Sequence, residues 1–182
     1  MQRVLWITGR LPYPLRSGDA LYTAGLLQAA RCANLKVTVI GLPRASGVAL
    51  DRLEAVAAVA WHPVLVQPRS AWRSVLSALP KDAYCLFPSE FRVQLSELLE
   101  QDWEWIVFDH ARSGGGLELA MARRASKIAY IAHNVERKVR REVASEMAGG
   151  AIRTPYLLDA EKYGRLENRL IRAAVECSSR RR

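Results

Sequence analysis

The chain has 182 residues, 50% of them hydrophobic and 25% charged, and 27 lysines and arginines outnumber 18 acidic residues, for a formal net charge of +9. Such a composition excludes a disordered chain, and the length suits one domain with a real core. The charge, mostly arginine, favours acidic partners such as phosphates, anionic lipid or nucleic acid, although a bias in base composition produces the same excess.

Arg3 to Gly18 organises the rest. Val4 to Thr8 is an apolar, β-branched run that reads as a buried strand, and it breaks into Gly9, Pro12, Pro14 and Gly18. Prolines stop a ladder or a helix, so a shaped loop follows. From Asp19 the pattern is helical, through Tyr22, Leu26, Leu27 and Ala30, and ends near Asn34. Lys36 to Gly41 is a second strand, closed by Pro43, and Arg44 to Gly47 a loop. Leu50 to Val59 reads as a helix starting near Asp51, and Val64 to Val66 as a third strand between two prolines. His62 then falls at the opposite end of that strand and reads as structural.

Ala71 to Leu79 predicts an amphipathic helix, with Trp72, Val75, Leu76 and Leu79 at helical spacing and a stop at Pro80. Tyr84 to Phe87 reads as a short strand or a buried loop. Glu90 to Glu100 is helical with Ser89 as its N-cap, and Trp105 to Phe108 is a strand ending in Asp109-His110. Ser113 and Gly114 to Gly116 lead into a helix over Leu117 to Arg124. Ile128 to Ala132 is a strand ending in His133-Asn134. Val135, Val139, Val143 and Met147 mark a helical face, closed by Gly149-Gly150, and Tyr156 to Val175 a long last helix with Tyr163, Leu166, Leu170 and Ala174 on one side. Strand and helix alternate throughout, which predicts an α/β fold: a Rossmann-like, mostly parallel sheet with helices on both faces and Val4 to Thr8 in its interior. The domain covers residues 1–177; Ser178 to Arg182 is a basic tail expected to fray.

No stretch approaches the roughly 20 apolar residues that span a bilayer, and the N-terminal apolar run ends too early for a signal peptide. Cys32, Cys85 and Cys177 show neither metal spacing nor a redox pair, which points to a reducing, cytoplasmic compartment without a metal site.

In a parallel sheet the three strand endings share one edge, so Gly18, His110, Gly114 to Gly116, His133 and Asn134 border one cleft, with two of the three histidines among them. Strand ends and turns explain the same residues individually. The spacing for a dinucleotide fingerprint or a Walker loop is absent. Gly114 to Gly116 suits either an anion cradle of backbone N–H groups or a flexible turn. Arg137, Lys138, Arg140 and Arg141 crowd the start of the following helix, where cations oppose the macrodipole; they are either a solvated face or hold an anion or membrane surface beside it.

PYPLRSGDALYTAGLLQAA, DWEWIVFDH and YIAHNVER, in that order, closely resemble the N-terminal domain of the family-4 type glycosyltransferases of the GT-B fold, over roughly Arg3 to Arg172. The resemblance implies one Rossmann-like half of a two-domain enzyme, which binds the acceptor while the other half binds a sugar nucleotide. It implies sugar transfer with retention and no cofactor beyond the nucleotide-sugar donor as co-substrate. Gly18 resembles the loop glycine that lies against the donor diphosphate, and Asp19 follows it. His110 resembles the catalytic histidine that reaches the transferring sugar, and is expected to be solvent-accessible. His133 and Asn134 look like the cleft-lining pair, and Arg137 completes the substrate-binding set. The family's C-terminal donor domain has no counterpart in the sequence, and VECSS at most begins its expected leading strand. The expectation is therefore a truncated or separately encoded half, inactive alone.

The implied biology is cell-envelope or exopolysaccharide glycan synthesis, with a sugar or lipid-linked acceptor and peripheral contact with the inner face of an anionic membrane. The alternative is a non-catalytic module that uses the same edge for a phosphorylated or anionic ligand. A nucleic-acid binder rests on charge alone and lacks a recognisable module.

Overall fold

The computed structural model describes residues 1–44, 50–122, 126–147 and 149–179. The expected loop beyond Arg44, the end of the helix at residues 123–124 and the tail at 180–182 lie outside the described residues, as does the Cys177 side chain. Five strands form one all-parallel sheet: β1 (Arg3–Arg10), β2 (Lys36–Leu42), β3 (Ala60–Pro63), β4 (Trp105–Asp109) and β5 (Lys127–Ile131), in the order β3-β2-β1-β4-β5. This is a Rossmann-like arrangement with β1 at its centre.

Alternation along the strands divides the core in two. Leu5 and Ile7 of β1 and Ile106 and Phe108 of β4 enter one buried cluster, with Phe87, Phe91, Leu95, Leu166 and Leu170. Val4, Trp6 and Val107 point the other way, to Leu27 and Leu53. A period of two with both faces buried is the signature of a sheet covered by helices on both sides. Helices α1 (Gly18–Cys32) and α2 (Leu50–Glu54) supply the second cluster's cover. Helices α3 (Lys81–Cys85), α4 (Ser89–Leu98), α5 (Leu117–Met121) and the long α7 (Gly150–Ser179) serve the first; α6 (Glu136–Glu146) packs on α7.

Several elements depart from the sequence reading. The third strand is Ala60–Pro63, not Val64 to Val66, and His62 lies inside it with Nε2 3.1 Å from Gln94 Oε1. Proline cannot donate to a ladder, but β3 is an edge strand and tolerates one at its end. Helix α2 stops at Glu54, short of Val59. Tyr84 to Phe87 is neither a strand nor simply loop: Tyr84 and Cys85 finish α3. Ser89 is the first residue of α4 rather than its cap, and its hydroxyl goes to Glu90.

Ala71 to Leu79 is a 3-10 helix over Ala71–Leu76. Three residues per turn do not gather a 3.6-period stripe onto one side, and Trp72, Val75 and Leu76 stand 66%, 62% and 90% exposed. Val135, the N-cap of α6, and Val139 and Val143 within it are likewise exposed, while Glu136 and Ala144 face inward. Glu136, Arg140 and Ala144 form the adjacent i, i+4, i+8 row, and its charged members meet carboxylates and a histidine on the protein side. The residues Val175 to Ser179 continue α7 as helix and begin no strand.

Candidate functional site

The order of the strands reverses direction at β1, whose neighbours are β2 on one side and β4 on the other. Ligands in open parallel sheets bind outside the carboxyl ends at such a switch point. Here β1 runs into the loop that ends at Ser17, the extended N-cap of α1, and β4 ends at Asp109. Between them and the end of β5 lies a cleft of about 430 Å³, lined by Gly18, Asp19, Tyr22, Ala132, His133 and Asn134. Gly18, Asp19, His133 and Asn134 are thus brought together as expected. A Cβ at Gly18 would meet nothing within 4 Å, so the glycine leaves this rim open.

His133 is held from below. Its Nε2 lies 2.6 Å from Asp109 Oδ1, and Asp109 Oδ2 accepts the Thr23 hydroxyl at 2.7 Å. An ionised carboxylate only accepts, so the proton sits on Nε2 and Nδ1 is left as the imidazole's acceptor. Tyr22 meets the ring edge-on at 4.9 Å, and His110 stacks against it at 5.0 Å. The Thr23–Asp109–His133 chain therefore fixes both tautomer and ring plane, the arrangement that orients a base in general acid–base sites.

His110 is not accessible, contrary to the expectation. It is 8% exposed, beneath His133, with Nε2 3.3 Å from Glu136 Oε1. Burial, with Arg112 and His133 nearby, pushes its pKa down to about 3, so the ring is neutral at pH 7. Its φ of +75° is sparsely populated for a residue with a side chain and costs about 1–3 kcal/mol. The backbone is pinned there by its N–H to Ile131 O at 3.0 Å and its carbonyl to both the N–H and the hydroxyl of Ser113. Glu136 is itself buried, and burial raises its carboxyl despite Arg140.

Asp19 closes the other rim. Its Oδ2 takes Arg44 Nη2 at 2.7 Å and also Arg112 Nη2. Burial alone would raise its carboxyl; the Arg112 and Arg44 guanidiniums overcome this and hold it well below the usual range.

Two expected elements do something else. Gly114 to Gly116 form a buried 3-10 helix, not an open cradle. A Cβ would sit 2.9 Å from Leu166 at Gly114, 2.7 Å from Phe87 at Gly115 and 2.7 Å from Leu95 at Gly116. The run is glycine because side chains of α7, of the α3–α4 connection and of α4 press onto its backbone. Arg137 is not in the cleft lining: its stem crosses Gly164 of α7 and its guanidinium pairs with Glu161 at 3.0 Å. Arg141 joins the same carboxylate, Lys138 pairs with Glu142, and Arg140 pairs with Asp82 and Asp159. The anion beside the α6 dipole is internal, since Glu167 of α7 accepts the N–H groups of Glu136 at 2.9 Å and Arg137 at 3.4 Å.

Compared with known proteins, the chain matches no family model and no curated protein.

Among the described residues no group of three His, Cys, Asp or Glu is arranged to hold a metal, and no helix is long and apolar enough to cross a membrane. The sequence reading passed over Thr23, Arg44, Arg112 and Glu136. Thr23 had a signal: with Asp19 and Tyr22 it shares one face of α1. The others meet the site only through tertiary packing.

Proposed function

We propose that this chain forms the acceptor-binding wall of a retaining glycosyltransferase of the family-4 GT-B type, working in cell-envelope or exopolysaccharide glycan synthesis. One observation carries the reading. The three segments that resemble that family end at a single cleft, with Gly18, His133 and Asn134 on its surface and His110 directly beneath. The open rim at Gly18 and the first turn of α1 suit a diphosphate approaching backbone N–H groups. The oriented His133 suits hydrogen bonds to sugar hydroxyls, which need no charged base, and the neutral His110 supports its ring from below. In that reading a sugar-nucleotide domain faces the cleft from the other side, and positioning of donor against acceptor provides most of the rate, up to about 7–11 kcal/mol of the barrier.

Contact with an anionic membrane belongs to the same reading. Trp72, Val75 and Leu76 project beside Arg69 and Arg73, whose guanidiniums lie over the rings of Tyr84 and Trp72. Apolar residues flanked by cations suit the headgroup region.

The test is transfer from a panel of radiolabelled sugar nucleotides to membrane extract, by the purified 182-residue chain alone and co-expressed with a sugar-nucleotide-binding domain of the same glycosyltransferase type. Transfer only with the partner is expected; transfer by the chain alone defeats the half-enzyme reading. The burial of His110 favours a second reading, a non-catalytic module for a phosphorylated ligand. Under that reading neither preparation transfers sugar.

A further inference from the structure

Three guanidinium groups converge at the carboxyl edge of the sheet, beside the cleft but outside its lining. Arg10 ends β1, and its Nη1 donates to the carbonyl of Pro43 at 2.9 Å. Arg44 is the next residue along that strand connection; its Nε donates to Leu11 O at 3.3 Å and its Nη2 to Asp19 Oδ2 at 2.7 Å. Arg112 comes from the 3-10 helix after β4 and reaches the same Oδ2 atom. Gly9 lies under this crossing: a Cβ there would sit 2.8 Å from Leu86 Cδ1 and 3.2 Å from Arg112 Cγ.

The charges do not balance. Asp82, which acts on Arg10 electrostatically, is already bonded to Arg140, so Asp19 is the one carboxylate ion-paired with the cluster among the described residues. Three cations share one ion-paired carboxylate, while Asp82 and Glu136 act on the cluster without an ion pair to it, so positive charge is in excess at the guanidiniums. The excess is felt: burial first, then Arg44 and Arg112, lower the pKa of Arg10. Arg112 Nε is buried with no hydrogen-bond partner among the described residues, an orphan donor on a group already committed at Nη2. Holding like charges together in a half-buried place is unfavourable unless an anion joins them. The planar forks of arginine match phosphate oxygens, and a phosphomonoester carries about −1.5 to −2 charge at pH 7, opposite in sign to the excess.

We infer that Arg10, Arg44 and Arg112 bind a phosphomonoester, with Asp19 as the internal counter-ion that holds the guanidiniums in place when the site is free. As a subsite for a phosphorylated acceptor in the cleft this rests on the proposed function; as a phosphate site it stands apart from it. The phosphate group itself has two sources, free inorganic phosphate and a sugar phosphate, with the same chemistry toward arginine.

The experiment is isothermal titration of the full chain with inorganic phosphate, with a hexose phosphate, and with the unphosphorylated hexose, at constant ionic strength set by sodium chloride. Both phosphates are expected to bind, with the hexose phosphate tighter if the sugar reaches the cleft, and equal affinities assigning the site to the free anion. Arg112→Gln and the double substitution Arg10→Gln, Arg44→Gln should each lose at least tenfold in affinity. Asp19→Asn should bind severalfold tighter, because the competing carboxylate is gone. Circular dichroism checks that each variant is folded; should Arg112→Gln fail to fold, Arg44→Gln and Asp19→Asn still read the site. Phosphate binding no stronger than chloride, or binding that the arginine variants leave unchanged, overturns the inference. Absence of sugar transfer by any preparation would defeat the glycosyltransferase reading and leave these titrations untouched.

Discussion

His110 concentrates the unusual physics of the site in one residue: a positive φ, a buried ring and a pKa pushed down to about 3 by burial, Arg112 and His133. The unfolded chain binds a proton at this residue below about 6.5 and the folded chain does not until about 3, so the unfolded state holds more protons in that window. The His110 contribution to stability is therefore complete above about pH 6.5 and falls as pH drops toward 3, by up to about 1.4 kcal/mol per pH unit for one proton. Glu136 works in the opposite sense: its raised carboxyl contributes stability at low pH that is lost as pH rises through its folded value. Urea denaturation between pH 7 and pH 4 should show the His110 slope, and His110→Asn should flatten it; an unchanged slope would mean another group sets the acid lability. Gly18 offers the complementary probe. Because a Cβ there meets nothing within 4 Å, Gly18→Ala should change stability by well under 1 kcal/mol while narrowing the cleft rim. Thermal unfolding and acceptor or donor titration separate the two effects, and a loss of stability comparable to the loss of binding would remove Gly18 from the site.

At the scale of elements, α6 shows how a helix can be fixed by a neighbour rather than by its own sequence. Its N-cap, Val135, has no side chain able to accept a hydrogen bond. Glu167, 31 residues beyond Glu136, performs that role from α7 and places its negative charge at the positive end of the α6 dipole. Arg137, Arg140 and Arg141, unfavourable at a helix start when unpaired, are each paired with carboxylates of α3 or α7. Glu167→Ala should then cost about 1–2 kcal/mol and act locally. Hydrogen exchange should accelerate at the Glu136 and Arg137 amides and along the first turn of α6, with β1 and β4 unaffected; unaltered protection of that turn would show that packing on α7 alone holds the helix.

For the molecule as a whole, the charge of +9 is distributed unevenly in its availability. The cations of α6 are engaged with carboxylates, whereas Arg69 and Arg73 lie over aromatic rings next to exposed Trp72 and Leu76. Binding to vesicles rich in anionic lipid should therefore respond to this corner. Replacing Trp72 and Leu76 with serine should weaken it about tenfold or more, while neutralising Lys138, the most exposed of the α6 cations, should do little. Sodium chloride should weaken what remains. Co-sedimentation reads both, and equal effects of the two sets would indicate attraction by net charge alone.

The alternation of β-branched runs with helical stretches was enough to determine a parallel sheet with β1 inside it, because a strand buried on both faces must be apolar at every position, as Val4 to Ile7 are. The strand endings at Gly18, His133 and Asn134 were legible for the same reason: parallel strands put their carboxyl ends on one edge. Which way a surface helix turns was not legible. The stripe Val135, Val139 and Val143 looked like a buried face, yet Asp82 of α3 and Asp159 of α7, from distant parts of the chain, draw Arg140 of the neighbouring row inward instead. Nor could periodicity show that Gly114 to Gly116 are small to admit Leu166, Phe87 and Leu95, or that Asp19 would gather Arg44 and Arg112. Local sequence encodes the preference of a segment for strand or helix; the partners of a charge, and the burial that moves its pKa, arise only when distant segments share one volume.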